Sequence, residues 1–231
     1  MIKYHPNSEL LLQYVQGALP ASISVAIAAH LELCAHCAEH TETLEGQCAH
    51  SAFADEQIEA SALEHACEQS QLQDELGDEY AAMLADITAD DLRDDFSIAS
   101  SKELRFGDKT ITLPRALSHI GMGRFMQAGK LARSRLELDE GSMRTSLLYI
   151  APGGTIPEHT HTGFELTLLL DGNFSDEQGT YEPGDFMWLD HRHQHTPYTE
   201  HGCLCLAVVN SALHFNKGLS KLLNPIGELI Y

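Results

Sequence analysis

Hydrophobic and polar positions change their period near residue 90. Before it, apolar residues recur at helical spacing. Leu10, Leu11, Tyr14 and Val15 predict a first helix from Ser8, with Asn7 or Ser8 as its N-cap, and Gly17 and Pro20 interrupt it. A second helix is expected from about Pro20 through His30 to Cys34, with Ile23, Ile27 and Leu31 on one apolar stripe. A third should follow Cys37 and run through Leu44. Residues 50–65 are rich in Ala and Glu, with little apolar content, and read as a loop or a weak helix. Leu72, Leu76, Tyr80, Met83, Leu84 and Ile87 then mark a fourth, amphipathic helix with an acidic opposite face.

The charged stretch from Thr88 to Asp95 reads as a linker. Beyond it, short alternating runs appear at Leu147–Ile150, Phe164–Leu170, Phe186–Leu189 and Leu204–Val209, separated by Gly, Pro, Asp and Asn. Closely spaced short strands of this kind predict an all-β sandwich or barrel. Three or four short helices bury little core alone, so a structural metal is a physically reasonable addition to the first part.

Composition adds a boundary and a compartment. At 231 residues the chain fits one large domain or two small ones. It has no apolar run near the ~18 residues of a membrane span. Its start, Met-Ile-Lys-Tyr-His-Pro, lacks the charged-then-apolar pattern of a signal peptide, so a cytoplasmic protein is expected. There, six cysteines point to thiols or metal ligands rather than disulfides. Cys203 and Cys205 alternate on an apolar strand pattern and read as small core residues.

The net charge of −20 is uneven: residues 1–92 carry one basic residue (Lys3) against 17 acidic ones, whereas 93–231 carry 13 basic and 17 acidic. The first half should repel nucleic acid and attract a basic surface, although on charge alone a solvated acidic face kept for solubility is the better account.

Two constellations carry chemistry. His30, Cys34 and Cys37 lie four and then three residues apart, and on a helix all three project from one face. They make a tetrahedral Zn2+ site short of one ligand, for which His5 is the candidate. His36, His40, Cys48 and His50 are the other donors nearby; His36 should point off the ligand face, while His40 stays a competitor. The alternative is an unmetallated cysteine pair.

The second constellation is Gly153-x5-His159-x-His161-x3-Glu165-x6-Gly172. On a strand, residues of one parity share a face, so His159, His161 and Glu165 point one way and Leu166, Leu168 and Leu170 the other. Two imidazoles and a carboxylate suit Zn2+, Mn2+, Fe2+ or Ni2+. Downstream of the Pro183-Gly184-Asp185 turn, His191, His193 and His195 alternate and could share a face.

These residues carry resemblances. His5, Glu9-Leu-Leu with Tyr14, Gly17-Ala-Leu-Pro and Ala29-His30-Leu-Glu-x-Cys34-x-x-Cys37 resemble the zinc-binding anti-sigma domain over roughly residues 1–90. That resemblance implies Zn2+ held by His5, His30, Cys34 and Cys37. It also implies a helical bundle that binds an extracytoplasmic-function sigma factor, with no direct contact to nucleic acid or membrane.

The histidine–glutamate motif and the Pro-Gly-Asp turn resemble the two cupin motifs, which implies a metal at His159, His161, Glu165 and, by preference over His193, His195. The order of the two parts is similar to the ChrR family of anti-sigma factors. The expected architecture is therefore α+β and multidomain. A small helical zinc-binding bundle occupies residues 1–92 and an all-β cupin (double-stranded β-helix) barrel residues 93–231, with a linker at about 88–95. The resemblance further implies that the cupin binds Zn2+ or another divalent metal and serves the response to an oxidative signal such as singlet oxygen.

Two readings compete with the transcription regulator. A metal-dependent cupin dioxygenase or isomerase with an accessory zinc module would use the same ligands. A metal-storage or scaffold protein would not need two specific sites in separate domains.

Overall fold

The computed structural model describes residues 2–53, 80, 82–83, 85–89, 101–138, 140–211 and 213–215. Met1–Leu44 and Ala99–Tyr231 together form one compact unit, and Glu45–Ile98 forms another.

Three helices open the chain: α1 (Ser8–Val15), α2 (Ala21–Leu33) and α3 (Ala35–Phe53). Asn7 caps α1, its side chain accepting from the Leu10 N–H at 2.8 Å. Pro20 stands at the N-cap of α2 and offers no side-chain acceptor. Glu140, far along the chain, supplies one: its carboxylate accepts from the Ala21 N–H and, at 2.6 Å, from the Ser22 N–H. A carboxylate there satisfies orphan donors and opposes the positive end of the helix.

The second and third helices differ from the expectation in one informative way. Cys34 adopts an extended conformation (φ −123°, ψ 95°) and ends α2, and α3 starts at the next residue at an angle of 119°. Cys37 therefore lies in the first turn of α3, not ahead of it, and His30, Cys34 and Cys37 do not share one continuous helix. The reason is geometric. Seven residues of straight helix would separate His30 from Cys37 by about 10.5 Å along the axis, too far for one ion. A corner at Cys34 removes that separation.

Of the expected fourth helix, Tyr80, Met83 and Ile87 are helical and exposed, while Leu72, Leu76 and Leu84 lie outside the described residues. Of residues 50–65, read as a loop or a weak helix, 50–53 close α3, while 54–65 lie outside the described residues, as do 90–95 of the expected linker.

Apart from a 3-10 turn at Arg115–Leu117, the regular elements in the rest of the described chain are antiparallel strands. A hairpin comes first, β1 (Glu103–Phe106) with β2 (Lys109–Thr112). The strands that follow are β3 (Met126–Ala128), β4 (Leu131–Arg135), β5 (Arg144–Ile150), β6 (Gly154–Thr155), β7 (His159–His161) and β8 (Phe164–Gly172). Then come β9 (Phe174–Asp176), β10 (Gly179–Tyr181), β11 (Phe186–Asp190), β12 (Tyr198–Thr199), β13 (Cys203–Val209) and β14 (Leu213–Phe215). A six-stranded sheet runs β11-β8-β13-β5-β4-β3, a four-stranded sheet β10-β9-β12-β6, and β7 pairs with β14. This is the all-β cupin architecture expected of the second part. At Gly172 the backbone is left-handed (φ +78°) and a Cβ would meet the Cys203 Cα at 2.9 Å, so only glycine lets β8 run this close to β13.

Side-chain parity divides the core in two. Leu166, Leu168 and Leu170 of β8, with Leu204, Leu206 and Val208 of β13, face Leu11, Ile23, Ala26, Ile27 and Ala29 of the helices. The opposite parity (Leu169, Cys203, Cys205, Ile150) packs with Phe174 and Tyr181 between the two sheets. Cys203 and Cys205 are thus small buried core residues, free thiols among the described cysteines. The amphipathic helices bury their stripe on the outer face of the large sheet, a partner that no local pattern announced.

Candidate metal centres

The first centre assembles at the corner between α2 and α3. The ligand atoms of His5, His30, Cys34 and Cys37 all lie within 4.8 Å of one another. His5 Nδ1 sits 3.4 Å from Cys34 Sγ and 3.3 Å from Cys37 Sγ. His30 is fully buried; its Nδ1 donates to the Gly184 carbonyl at 2.8 Å, which leaves Nε2 buried and without a hydrogen-bond partner. A buried, unpartnered imidazole nitrogen aimed at two thiols is an acceptor awaiting a cation.

Burial holds the His30 imidazole down to about 4, despite the Gly184 hydrogen bond, so it is neutral and able to ligate. Burial, with the Cys34 thiol beside it, pushes the Cys37 thiol up to about 12. A thiolate there lacks a counter-charge, and a dication would supply it. The N2S2 donor set fits Zn2+ in a closed tetrahedral site. His36 is exposed, with its ring 5.8 Å from that of His5; neither it nor His40, Cys48 or His50 belongs to the group.

His5 reaches this site through an extended segment tied to the cupin. Lys3 and Tyr4 donate their N–H groups to Asp185 Oδ1 at 2.6 and 3.1 Å, and the Phe186 N–H donates to the Tyr4 carbonyl at 2.9 Å. The Asp185 side chain is wholly buried; its second oxygen accepts from the Glu182 N–H at 2.8 Å. At Gly184 (φ +96°) a Cβ would run into the Ile2 side chain, so the turn of the second cupin motif also shapes the seat of the N-terminal segment.

The second centre lies between the two sheets. His159, His161, Glu165 and His195 bring their ligand atoms within 4.8 Å of one another. His159 Nδ1 is held by the Pro157 carbonyl at 2.9 Å, turning Nε2 inward to 3.1 Å from His195 Nε2. His159 and His195 also exchange backbone hydrogen bonds at 3.2 Å. His161 Nε2 lies 2.8 Å from Glu165 Oε2, an ion-pair contact between two buried atoms. The buried nitrogens of His161 and the Glu165 Oε2 are left without hydrogen-bond partners beside the His159–His195 pair, and a shared ion would satisfy them.

Burial pushes the Glu165 carboxyl up, but the surrounding imidazoles outweigh it and hold it at about 2. Burial holds His159 at about 4. One carboxylate and three imidazoles fit Zn2+, Fe2+, Mn2+ or Ni2+.

The three alternating histidines do not share a face, because β11 ends at Asp190 and a turn follows. His191 is exposed, and His193 Nδ1 engages Asp190 Oδ1 at 2.9 Å; only His195 enters the cluster. Behind it stands Asp176, whose Oδ2 lies 3.1 Å from His195 Nδ1. Burial raises the Asp176 carboxyl, but hydrogen bonds from His195, the Gln178 N–H and Tyr181 bring it below its ordinary value. Neither Asp176 nor the contact of Asp185 with residues 3–4 has a sequence signal. A cavity of about 30 Å3 adjoins the cluster, walled by Ile150, Ile156, Phe174, Pro197 and Cys205. It has room for a water-sized group or two.

A Cys2His2 corner set against a cupin with a His3Glu cluster defines a cupin protein with two candidate metal centres. Residues 126–213 match the ChrR Cupin-like domain. The chain is similar to a ChrR anti-sigma factor over nearly all of its length. It is 29% identical to the anti-sigma-E factor ChrR of Cereibacter sphaeroides over 230 residues, 97% of each chain. The crystal structure of Rhodobacter sphaeroides SigE in complex with the anti-sigma ChrR matches it with a TM-score of 0.58 and 25% identity. That alignment covers 90% of this chain and 99% of the other. Among the described residues no single helix is long and apolar enough to cross a membrane.

Proposed function

We propose that this protein is a cytoplasmic anti-sigma factor that binds and inhibits an extracytoplasmic-function sigma factor, and that it is a regulator rather than an enzyme. The observation that carries this is the similarity to ChrR over 97% of both chains, which spans both clusters. Residues 1–92 would hold the sigma factor, Zn2+ on His5, His30, Cys34 and Cys37 keeping the corner of the helices in shape. Residues 93–231 would act as the sensory part, with a divalent metal on His159, His161, Glu165 and His195 serving the response to an oxidative signal such as singlet oxygen. The acidic bias of the first half suits a partner with basic, DNA-facing surfaces. The small cavity beside the second cluster favours this reading over a cupin dioxygenase or isomerase, because an organic substrate needs a pocket about tenfold larger.

Co-expression of the full chain with its cognate sigma factor tests the proposal. Wild type should co-elute with the sigma factor and silence its promoter. Cys34→Ser should lose both properties, whereas His159→Ala should keep binding but stop releasing the sigma factor under singlet oxygen. Failure of the wild-type chain to bind any extracytoplasmic-function sigma factor would sink the idea.

A further inference from the structure

Of the four donors in the first cluster, His5 alone lies outside α2, α3 and the corner between them, and its position is set by the cupin. Its neighbour Tyr4 is anchored at the backbone by Asp185 and Phe186, and its ring lies 5.2 Å from that of Tyr181, centroid to centroid. Tyr181 is buried between Tyr4 and Phe174, and its hydroxyl donates to Asp176 Oδ1 at 3.1 Å. The other oxygen of Asp176 meets His195 Nδ1. A continuous run of contacts therefore joins a donor of one cluster to a donor of the other: His195, Asp176, Tyr181, Tyr4, His5.

We propose that Asp176, Tyr181 and Tyr4 are positioning residues that couple the two metal centres, so that filling either one tightens the other. The inference rests on both clusters binding metal. With a metal held by the cupin cluster, the His195 imidazole would lose charge and its Nδ1–H would become a stronger donor to Asp176. That bond would fix the orientation of Asp176 and with it the place of the Tyr181 hydroxyl; the Tyr181 ring would keep Tyr4 seated, and Tyr4 would carry His5 to the two thiols. Because the linkage is thermodynamic, the same factor acts in both directions.

Co2+ titration of the full chain tests this, since thiolate-to-cobalt charge transfer reports a cysteine-ligated ion and, of the two clusters, only the first contains cysteines. Wild type should bind Co2+ at the thiolate site more tightly than His161→Gln, which disables the cupin cluster, by on the order of fivefold or more. Tyr181→Phe removes only the hydroxyl that meets Asp176 and keeps the ring. It should lose the same factor while its cupin site still fills, and the double variant should be no weaker than either single one. Tyr4→Leu, on a partly exposed ring, should behave like Tyr181→Phe and serves if that variant misfolds. Equal affinity in all variants, or additive losses, would overturn the coupling while leaving both metal sites standing. Absence of Co2+ from either cluster would overturn the metal reading and the coupling with it.

Discussion

His30 Nδ1 donates to the carbonyl of Gly184 across 154 positions of sequence, at 2.8 Å. A donor of the N-terminal cluster is thus oriented by the turn of the second cupin motif. This bond selects the tautomer that presents Nε2 to Cys34, Cys37 and His5.

Metal content should follow the clusters, not the local abundance of histidine. Cys34→Ser should strip metal from the first centre only, with a drop in helix melting temperature, because structural Zn2+ contributes ~10 kcal/mol or more to folding in small modules. His40→Ala, outside the group, should leave both metals in place. Elemental analysis with circular dichroism reads both.

In the cupin, His195→Ala should abolish metal retention and His193→Ala should not, since His193 turns to Asp190. Asp176→Asn should weaken retention by about 10- to 100-fold, the usual effect of disturbing the group that orients a ligating histidine. Competition with a chelator measures all three.

The metal-free protein should lose stability as pH falls from about 6.5 to about 4. Burial lowers His30 and His159 from 6.5 to about 4, so over that window the unfolded chain binds protons that the folded chain does not. The stability these groups contribute is present above 6.5 and lost as pH falls, by about 3 kcal/mol per histidine at most. Urea unfolding at a series of pH values checks the slope. Bound metal should shift the loss to lower pH, because protons must then compete with the ion.

Ile27 is fully buried between α2 and the large sheet. Ile27→Ala should cost about 2–5 kcal/mol, as large-to-small changes in a packed core do. Glu140→Ala should cost about 1–2 kcal/mol by leaving the α2 N-terminus uncapped. If the helices fold apart from the sheet, the second cost vanishes. Thermal melts of the two variants separate these outcomes.

Much of this protein is written locally. The helical period around Leu11 and Ile27, the alternation in β8 and β13, and the ligand spacings are all short-range signals, because a donor set confined to a few residues leaves its mark in spacing. Spacing therefore marked His30, Cys34, Cys37, His159, His161 and Glu165, whereas the distant His5 and the choice of His195 rested on the family resemblance; the fold brings each four together.

Tertiary structure decided what depends on contacts between distant segments. It broke the helix at Cys34, since a straight one could not gather His30 and Cys37 around one point. It separated His195 from His193 and His191 by a turn that alternation could not show. It also laid the helices on the outer face of the cupin sheet, with Glu140 capping α2, Gly184 orienting His30 and Asp185 holding the segment that carries His5. Such partners lie more than a hundred residues apart, and a backbone carbonyl or a lone carboxylate carries no pattern that names its distant donor.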